Sequence, residues 1–260
     1  MRAMSIAATG MQAQQTNVEV IANNIANAST TAFARRKAEF QDLLYQSANR
    51  AGTATSEQGT LLPVGSQIGL GTRNAAVNRV TLQGTLAETG NKFDVAIEGR
   101  GYFGVAMPDG TVSYSRDGSF KLSPQGQIVT TDGYPVEPAI TVPANARDVT
   151  INQTGEVIVT DANGRQQTAG RLNLYLFANE AGLEATGGNR FLESPASGEP
   201  TRGLPSDPGF GNVRQGYLEQ SNVNVVQEIT QLIQAQRAYE MNSKVIEAAD
   251  QMMQTANNVR

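Results

Sequence analysis

The sequence predicts an α+β protein with a long helix at each end and an all-β domain between them. Apolar residues recur with heptad spacing at both ends of the chain, which is typical of helices that pair as a coiled coil. Almost all of the 26 Gly and 10 Pro lie between positions 52 and 216, where short alternating runs predict strands joined by turns. We therefore predict a helix in residues 1–32, an extended arm or linker in 33–72, a β-rich domain in 73–219 and a second helix in 220–260.

The first helix is predicted from apolar residues at alternating spacings of three and four, with one polar interruption at Gln14. This N-terminal seam consists of Met4, Ala7, Met11, Val18, Ile21 and Ile25. The polar face is rich in amides, namely Gln12, Gln15, Asn17, Asn23, Asn24 and Asn27, while Arg2 and Glu19 are its only charges. Because amides enter an interface without the desolvation of ions, this composition indicates burial on more than one side.

The last helix is predicted to begin at Val225, after Asn224 as N-cap with Gln227 at the capping-box position. Neither Pro nor Gly interrupts it, and it would be roughly 50 Å long. Its C-terminal stripe recurs every seven residues, at Val225, Leu232, Tyr239, Ile246 and Met253. A second apolar row, which begins with Val226, Ile229 and Ile233, changes to the other side of the stripe further along.

Two arrangements explain the matching periods of the two helices. They could form a hairpin within one chain, or they could pack among several identical chains. The charge-poor amide faces and the change of side in the second apolar row favour packing among several chains.

The segment from Ser47 to Gly71 is rich in Gly, Ser, Thr and Gln and has few large apolar residues. Composition alone indicates a flexible linker or a long exposed hairpin.

The central domain contains six clear strand patterns, at residues 93–98, 102–107, 111–116, 127–131, 156–160 and 171–177. Tight turns are predicted at Asp109-Gly110, Asp117-Gly118, Asp132-Gly133 and Asn163-Gly164, because these pairs tolerate positive φ. We expect meander connections, and a loop-like stretch from Gly182 to Gly216.

The chain contains neither His nor Cys, which excludes the commonest general base, thiol nucleophiles, disulfides and the usual zinc ligands. Gly99-Arg100-Gly101 follows a predicted strand but lacks the third glycine and the helix of a dinucleotide site. The Asp-Gly pairs lack the spacing of a calcium loop. We therefore predict no catalytic, cofactor-binding or metal-binding residue and no enzymatic activity.

The net charge of −4 gives no electrostatic reason to expect a nucleic acid partner. No apolar run approaches membrane-spanning length, and the first fifteen residues are a poor secretory signal because polar residues interrupt them. If the protein leaves the cytoplasm, we expect a route that needs no cleaved signal peptide.

Several separated segments resemble the flagellar axial proteins of bacteria, the rod and hook subunits. Near the N-terminus they are 23–27 and 30–33, with Asn23, Asn24, Asn27, Thr31 and Phe33. In the centre they are 94–103 and 114–120, with Gly99, Gly101, Arg116, Asp117 and Gly118; near the C-terminus they are 215–223 and 236–240. Ala32 stands where that family commonly has Gly, which argues against a left-handed backbone there.

Within that family, the stretches 43–46, 56–60 and 67–71 resemble the distal rod subunits. This resemblance implies a helical homopolymer that transmits torque, with the two helices as an inner coiled coil, the β domain outside and the arm ordered by neighbouring subunits. It implies export by the flagellar type III apparatus to a rod that spans the periplasm. The implied partners are proximal rod subunits, hook subunits or the hook–rod junction, and surrounding ring proteins. The alternatives are a hook or proximal rod subunit and, from a different class, a secreted β-rich binding or glycan-acting protein.

Overall fold

The computed structural model describes residues 2–49 and 64–258. It is an α+β structure with a helix near each end and a β-rich middle, which is the fold class that the sequence predicts. The described residues form two compact units. A helical unit comprises 2–26, 36–49, 64–79 and 224–258, and a β unit comprises Asn27–Arg35 and Val80–Val223.

The helical unit contains two long helices that contact each other, α1 (Arg2–Ala26) and α2 (Val225–Asn258). The Oδ1 atom of Asn224 accepts a hydrogen bond from the backbone N–H of Gln227 at 3.2 Å, so Asn224 is the predicted N-cap. None of the helices in the described part of the chain is long and apolar enough to cross a membrane.

Two antiparallel strand pairs complete the helical unit. Its strands are β1 (Arg36–Asp42), β2 (Tyr45–Asn49), β3 (Ser66–Gly69) and β4 (Thr72–Arg79). β1 pairs with β4 and β2 pairs with β3, while β1 and β4 also contact α1. The described ends of the Ser47 to Gly71 stretch therefore favour the hairpin over the flexible linker, and residues 50–63 lie outside the described residues.

The β unit is built from short strands and one turn of 3₁₀ helix at Glu180–Gly182. The strands of its first half are β5 (Leu86–Glu88), β6 (Val95–Glu98), β7 (Tyr102–Ala106), β8 (Val112–Ser115), β9 (Lys121–Leu122), β10 (Ile128–Val129), β11 (Val136–Glu137) and β12 (Ala146–Ile151). Those of its second half are β13 (Glu156–Asp161), β14 (Gln166–Arg171), β15 (Leu174–Leu176), β16 (Glu184–Gly187), β17 (Arg190–Leu192), β18 (Thr201–Gly203), β19 (Asn212–Gln215) and β20 (Tyr217–Glu219). Each of the six predicted strands overlaps an observed one.

The largest sheet has the order β16-β17-β8-β7-β15-β18, with β11 also paired to β7. A smaller sheet, β12-β13-β14, is a meander, and the pairs β9–β10, β6–β19 and β5–β20 complete the unit. The meander prediction is thus right for β12 to β14 and wrong for the large sheet, where strands distant in sequence pair. The loop-like prediction for Gly182 to Gly216 is also wrong, because four strands lie there that are too short to produce a clear alternating pattern.

Two clusters of buried side chains form the core of the β unit. The larger one is aliphatic with two Phe rings, Phe103 and Phe120, which meet edge to face at 5.1 Å between centroids. The smaller one is aromatic and consists of Tyr102, Tyr114, Tyr175, Phe177 and Leu183. Burial of such side chains, at about 1.5–3 kcal/mol each, stabilises this unit.

Three of the four predicted tight turns have the expected backbone. Gly110, Gly133 and Gly164 have φ values of +83°, +87° and +76°. The prediction is wrong for Asp117-Gly118, because Gly118 has no positive φ and follows a bend after β8. A Cβ atom at Gly118 would lie 1.7 Å from the carbonyl oxygen of Val95, so close packing of two backbones explains this glycine.

Candidate assembly surface

The face of α2 that is covered within the chain is lined by small and polar residues. Glu228, Ala235 and Ala249 are buried on this face, with spacings of seven and fourteen residues. Asn242 continues the row, and its Nδ2 atom would lie 2.9 Å from a Cβ atom placed on Gly10 of α1. The absence of a side chain at Gly10 therefore lets α1 and α2 approach closely.

The predicted C-terminal stripe lies mostly outside this covered face. Tyr239 is 44% exposed, and Val225 and Met253 are exposed to a similar extent, whereas Leu232 and Ile246 are half-buried. Ile229, in the neighbouring row, is exposed as well. The large apolar side chains of Val225, Ile229, Tyr239 and Met253 are thus left largely uncovered by the described residues.

Exposed apolar residues also occur on other sides of α2. They are Val226, which is 75% exposed, together with Ile233, Met241, Val245 and Met252. Contiguous exposed apolar surface marks interaction sites on soluble proteins, and these residues are candidates for such a surface. That these faces bind neighbouring copies stays a prediction.

The N-terminal seam is covered to different degrees. Ile21 is buried, while Met4, Met11, Val18 and Ile25 are half-buried. Ala7, Ala13 and Asn24 are the other buried residues of α1.

Asn24, one of the amides on the predicted polar face of the first helix, is completely buried. Its Oδ1 accepts from the backbone N–H of Arg36 at 2.8 Å, and its Nδ2 donates to the carbonyl oxygen of Arg36 at 2.8 Å. Nδ2 also donates to Oε2 of Glu228 at 3.0 Å. These three hydrogen bonds satisfy the buried amide, which explains its position. The preceding Asn23, another amide of that face, is exposed.

In the β unit, the guanidinium group of Arg116 bonds two other predicted motif residues, Gly99 and Gly101. Arg116 donates from Nη1 to the carbonyl oxygen of Gly101 at 3.1 Å and from Nη2 to that of Gly99 at 3.0 Å. Its Nε atom donates to Oε2 of Glu219 at 2.9 Å. Gly99 and Gly101, with φ of +110° and +142°, shape the turn that presents these two carbonyls.

The other two central motif residues have structural contacts nearby. Asp117 accepts a hydrogen bond from the backbone N–H of Ser119 at 3.1 Å, and the carbonyl oxygen of Gly118 accepts from Val95 at 3.0 Å. These two hydrogen bonds stabilise the bend after β8.

The N-terminal motif leaves α1 through residues that bond to distant parts of the β unit. The Oδ1 atom of Asn27 accepts from the hydroxyl of Thr30, and the carbonyl of Thr31 accepts from Asn189 at 2.8 Å. Ala32 has φ of +55°, so the expectation against a left-handed backbone at this alanine is wrong. Its N–H donates to the carbonyl oxygen of Glu219 at 2.8 Å, a bond that holds this conformation in place.

Asn222 connects three segments, although no pattern in the sequence singles it out. Its Oδ1 accepts from the backbone N–H of Arg35 at 2.6 Å. Its Nδ2 donates to the carbonyls of Val80 and Leu82 at 3.0 and 2.7 Å, and its own N–H donates to the carbonyl of Phe33 at 3.4 Å. These bonds order the segments around 33–35 and 80–82 within the β unit.

Glu219 and Glu228 are two further important residues that the sequence patterns miss. The only available signal is their position, since Glu219 lies inside a motif and Glu228 precedes Ala235, Asn242 and Ala249 at intervals of seven. A pattern of large apolar residues does not include a row of small and polar ones.

Three family models match the chain. The model described as "Flagella basal body rod protein" matches residues 4–33, and "Flagellar hook protein FlgE/F/G D1 domain" matches 96–159. "Flagellar basal body rod FlgEFG protein C-terminal" matches 214–259. Together they cover both long helices and much of the β unit.

Curated relatives match the chain from end to end. The flagellar basal-body rod protein FlgG of Caulobacter vibrioides is 53% identical over 100% of both chains. The FlgG protein of Agrobacterium fabrum is 53% identical over 97% of both chains. The FlgG protein of Bacillus subtilis is 35% identical over 100% of this chain and 99% of its own length. With this identity over its full length, the chain belongs to the family of flagellar basal-body rod proteins FlgG.

Proposed function

We propose that the chain is a structural subunit of the flagellar distal rod, and that copies of it polymerise into a rigid helical tube that transmits torque from the motor to the hook. Membership of the FlgG family supports the rod as the assembly. The exposed apolar stripe of α2 is the observation that supports polymerisation, because its large apolar side chains are left uncovered by the residues that the structure describes.

In this proposal α1 and α2 pair as an antiparallel coiled coil in the inner layer of the tube. Two contacts support the pairing: Gly10 lies against Asn242, and Asn24 bonds Glu228. Fourteen residues separate the two contacts on each helix, from 10 to 24 and from 228 to 242. An equal separation of two heptads on both helices is what a regular antiparallel coiled coil requires.

Neighbouring copies cover the exposed C-terminal stripe of α2. Each copy offers its apolar stripe to a different surface of the next copy, and such heterologous contacts build an open helix. The segment 33–72 extends as an arm between neighbours, and the β-rich part 73–219 forms the outer layer. Burial of the stripe residues, at about 1.5–3 kcal/mol for each fully buried side chain, stabilises the assembly.

The position of the rod defines the further partners. Proximal rod subunits lie at one end, hook subunits or the hook–rod junction at the other, and ring proteins surround the tube. The subunit reaches this periplasm-spanning site through the flagellar type III apparatus. Its function is mechanical, with no catalytic turnover and no cofactor.

Assembly of purified full-length chain tests the proposal. Electron microscopy of the concentrated protein should show straight filaments with helical symmetry. Tyr239→Asp places a charge in the exposed stripe and should abolish filaments, because the carboxylate would be desolvated at the contact. Leu232→Asp should do the same, although Leu232 is half-buried in the chain, so its substitution also places a charge at a partly covered position.

Gln234→Asp is the matched control, because Gln234 is exposed on the same helix and lies outside the stripe. It should leave filaments intact, and all three variants should keep the near-ultraviolet circular dichroism of the β unit. The proposal would be contradicted if Tyr239→Asp formed normal filaments. It would also be contradicted if the protein were found only in the curved hook of purified basal bodies.

A further inference from the structure

The side chain of Asn24 joins three elements of the helical unit. Asn24 lies on α1, Arg36 is the first residue of β1, and Glu228 lies in the first turn of α2. The amide of Asn24 bonds both backbone groups of Arg36 at 2.8 Å and a carboxylate oxygen of Glu228 at 3.0 Å. Asn24 and Glu228 are both 0% exposed.

The two bonds to Arg36 have the pattern that a neighbouring strand residue would supply. In an antiparallel sheet, a hydrogen-bonded residue accepts from the opposite N–H and donates to the opposite carbonyl. The amide of Asn24 does both, so it acts as the strand partner at the start of β1. An amide is required for this, because aspartate has no donor and leucine has neither group.

The same Nδ2 group that bonds β1 also bonds α2. Its two hydrogens are directed to the carbonyl oxygen of Arg36 and to Oε2 of Glu228, so each bond orients the amide for the other. When α2 leaves, the amide loses one acceptor and rotates more freely, and its bonds to Arg36 weaken. When β1 leaves, the amide is equally less well oriented toward Glu228, because coupling between two sites is reciprocal.

We infer that Asn24 is a positioning residue that makes the ordering of β1 conditional on the docking of α2 against α1. The strand at the start of the arm is then more stably ordered in a chain whose two terminal helices have paired. The consequence for assembly rests on the proposed function: a subunit whose helices have docked offers its neighbours a better ordered start of the arm. The coupling itself is a property of the single chain.

The opposite end of the β1–β4 ribbon supplies a control contact. The backbone N–H of Thr72, the first residue of β4, approaches the hydroxyl oxygen of Thr9 on α1 at 3.4 Å. This contact joins the ribbon to α1 without any atom of α2. Its removal should therefore loosen the ribbon without changing how β1 responds to α2.

Hydrogen–deuterium exchange of the unassembled full-length chain, read by mass spectrometry for residues 36–42 and 225–235, tests the coupling. Glu228→Leu removes the acceptor on α2 and should speed exchange in 36–42 about tenfold, the effect of a coupling in the middle of the measured range. Glu228→Gln retains a side-chain carbonyl oxygen and should restore most of the protection. In an Asn24→Ser background, Glu228→Leu should have little further effect on 36–42, whereas in a Thr9→Val background it should keep its tenfold effect.

The inference would be overturned if Glu228→Leu changed exchange in 36–42 equally with and without Asn24. It would also be overturned if 36–42 stayed protected from exchange while 225–235 exchanged freely. Should Glu228→Leu lose its helical circular dichroism, Asn24→Asp replaces it. That variant keeps the acceptor for the N–H of Arg36 but loses both donors, so both peptides should exchange faster together. Faster exchange in 225–235 alone would be contrary to the coupling. Filament formation enters none of these readouts, so a failed coupling is distinguishable from a failed rod assignment.

Discussion

Arg116 and Glu219 form a largely buried ion pair in the β unit, with 2.8 Å between Nη2 of the arginine and Oε2 of the glutamate. Their side chains are 15% and 6% exposed, respectively. The guanidinium also bonds the carbonyls of Gly99 and Gly101, and Oε1 of Glu219 accepts from the N–H of Gly84 at 3.0 Å. The pair thus joins four separate segments of the chain, which explains why its neighbours belong to different sequence motifs.

Arg116→Met should destabilise the β unit by about 3–5 kcal/mol, because it leaves the carboxylate of Glu219 buried without its cation. Arg116→Lys should recover only part of this loss, since a single ammonium cannot reproduce the fork that reaches Glu219 and both carbonyls. Urea unfolding followed by tyrosine fluorescence measures the change. The control is Lys92→Met, which breaks an exposed pair with Asp148 and should cost about 1 kcal/mol or less. Equal losses in the two variants would show that burial does not govern the contribution of Arg116.

Gly118→Ala should destabilise the β unit by more than about 3 kcal/mol, because the new Cβ atom would overlap the carbonyl oxygen of Val95 and one of the two backbones would have to move. Gly133→Ala is the matched control. Gly133 has φ of +87°, but no atom lies within 4 Å of the position that its Cβ would take, so only backbone strain of about 1–2 kcal/mol opposes that substitution. The midpoint of urea unfolding should therefore fall further for Gly118→Ala, and the reverse order would contradict close packing at Gly118.

Features that depend on neighbouring residues in the sequence were predictable. The N-cap at Asn224 and the turns at Gly110 and Gly133 follow from local hydrogen bonding and from the freedom of glycine. The exposure of Tyr239 follows the expected stripe, because a heptad repeat defines one face of a helix whatever packs on the other faces.

Features that depend on which distant surfaces meet were not predictable from local pattern. Nothing near Val95 indicates that its backbone contacts Gly118, and nothing near Glu228 indicates that Asn24 will donate a hydrogen bond to its carboxylate. The covered face of α2 could not be predicted for the same reason. Ala235 and Asn242 lie where α1 and α2 approach closely, and they do not form a pattern of large apolar residues. Burial of a polar residue becomes favourable only when its partner is already positioned, and this information lies elsewhere in the chain.

Ala32→Gly should stabilise the β unit by about 0.5–1 kcal/mol. Alanine at φ of +55° costs about 1–2 kcal/mol, and glycine removes this strain while losing about 0.5–1 kcal/mol of chain entropy on folding. Ala32→Val should destabilise, because a β-branched residue fits this conformation worst. Ala144→Gly is the control, since Ala144 has no positive φ and glycine there should be destabilising. The sign of the shift in thermal midpoint decides: a loss of stability in Ala32→Gly would mean that the backbone strain is smaller than the combined loss of chain entropy and of the buried methyl group.

Tyr114 should make the β unit sensitive to alkaline pH. Burial raises the pKa of its hydroxyl to about 12, and the negative charge of Glu193 adds to the effect. In the unfolded chain the pKa of tyrosine is about 10, so above pH 10 the unfolded state loses a proton that the folded state retains. The contribution of this pKa difference to the free energy of unfolding is complete below pH 10. It decreases as the pH rises toward 12, by up to about 2–3 kcal/mol. Tyr114→Phe keeps the ring that packs edge to face on Phe177 but has no proton to lose. Its free energy of unfolding should therefore fall less than that of the unmodified chain between pH 9 and pH 12, and parallel pH profiles for the two proteins would contradict the role of Tyr114.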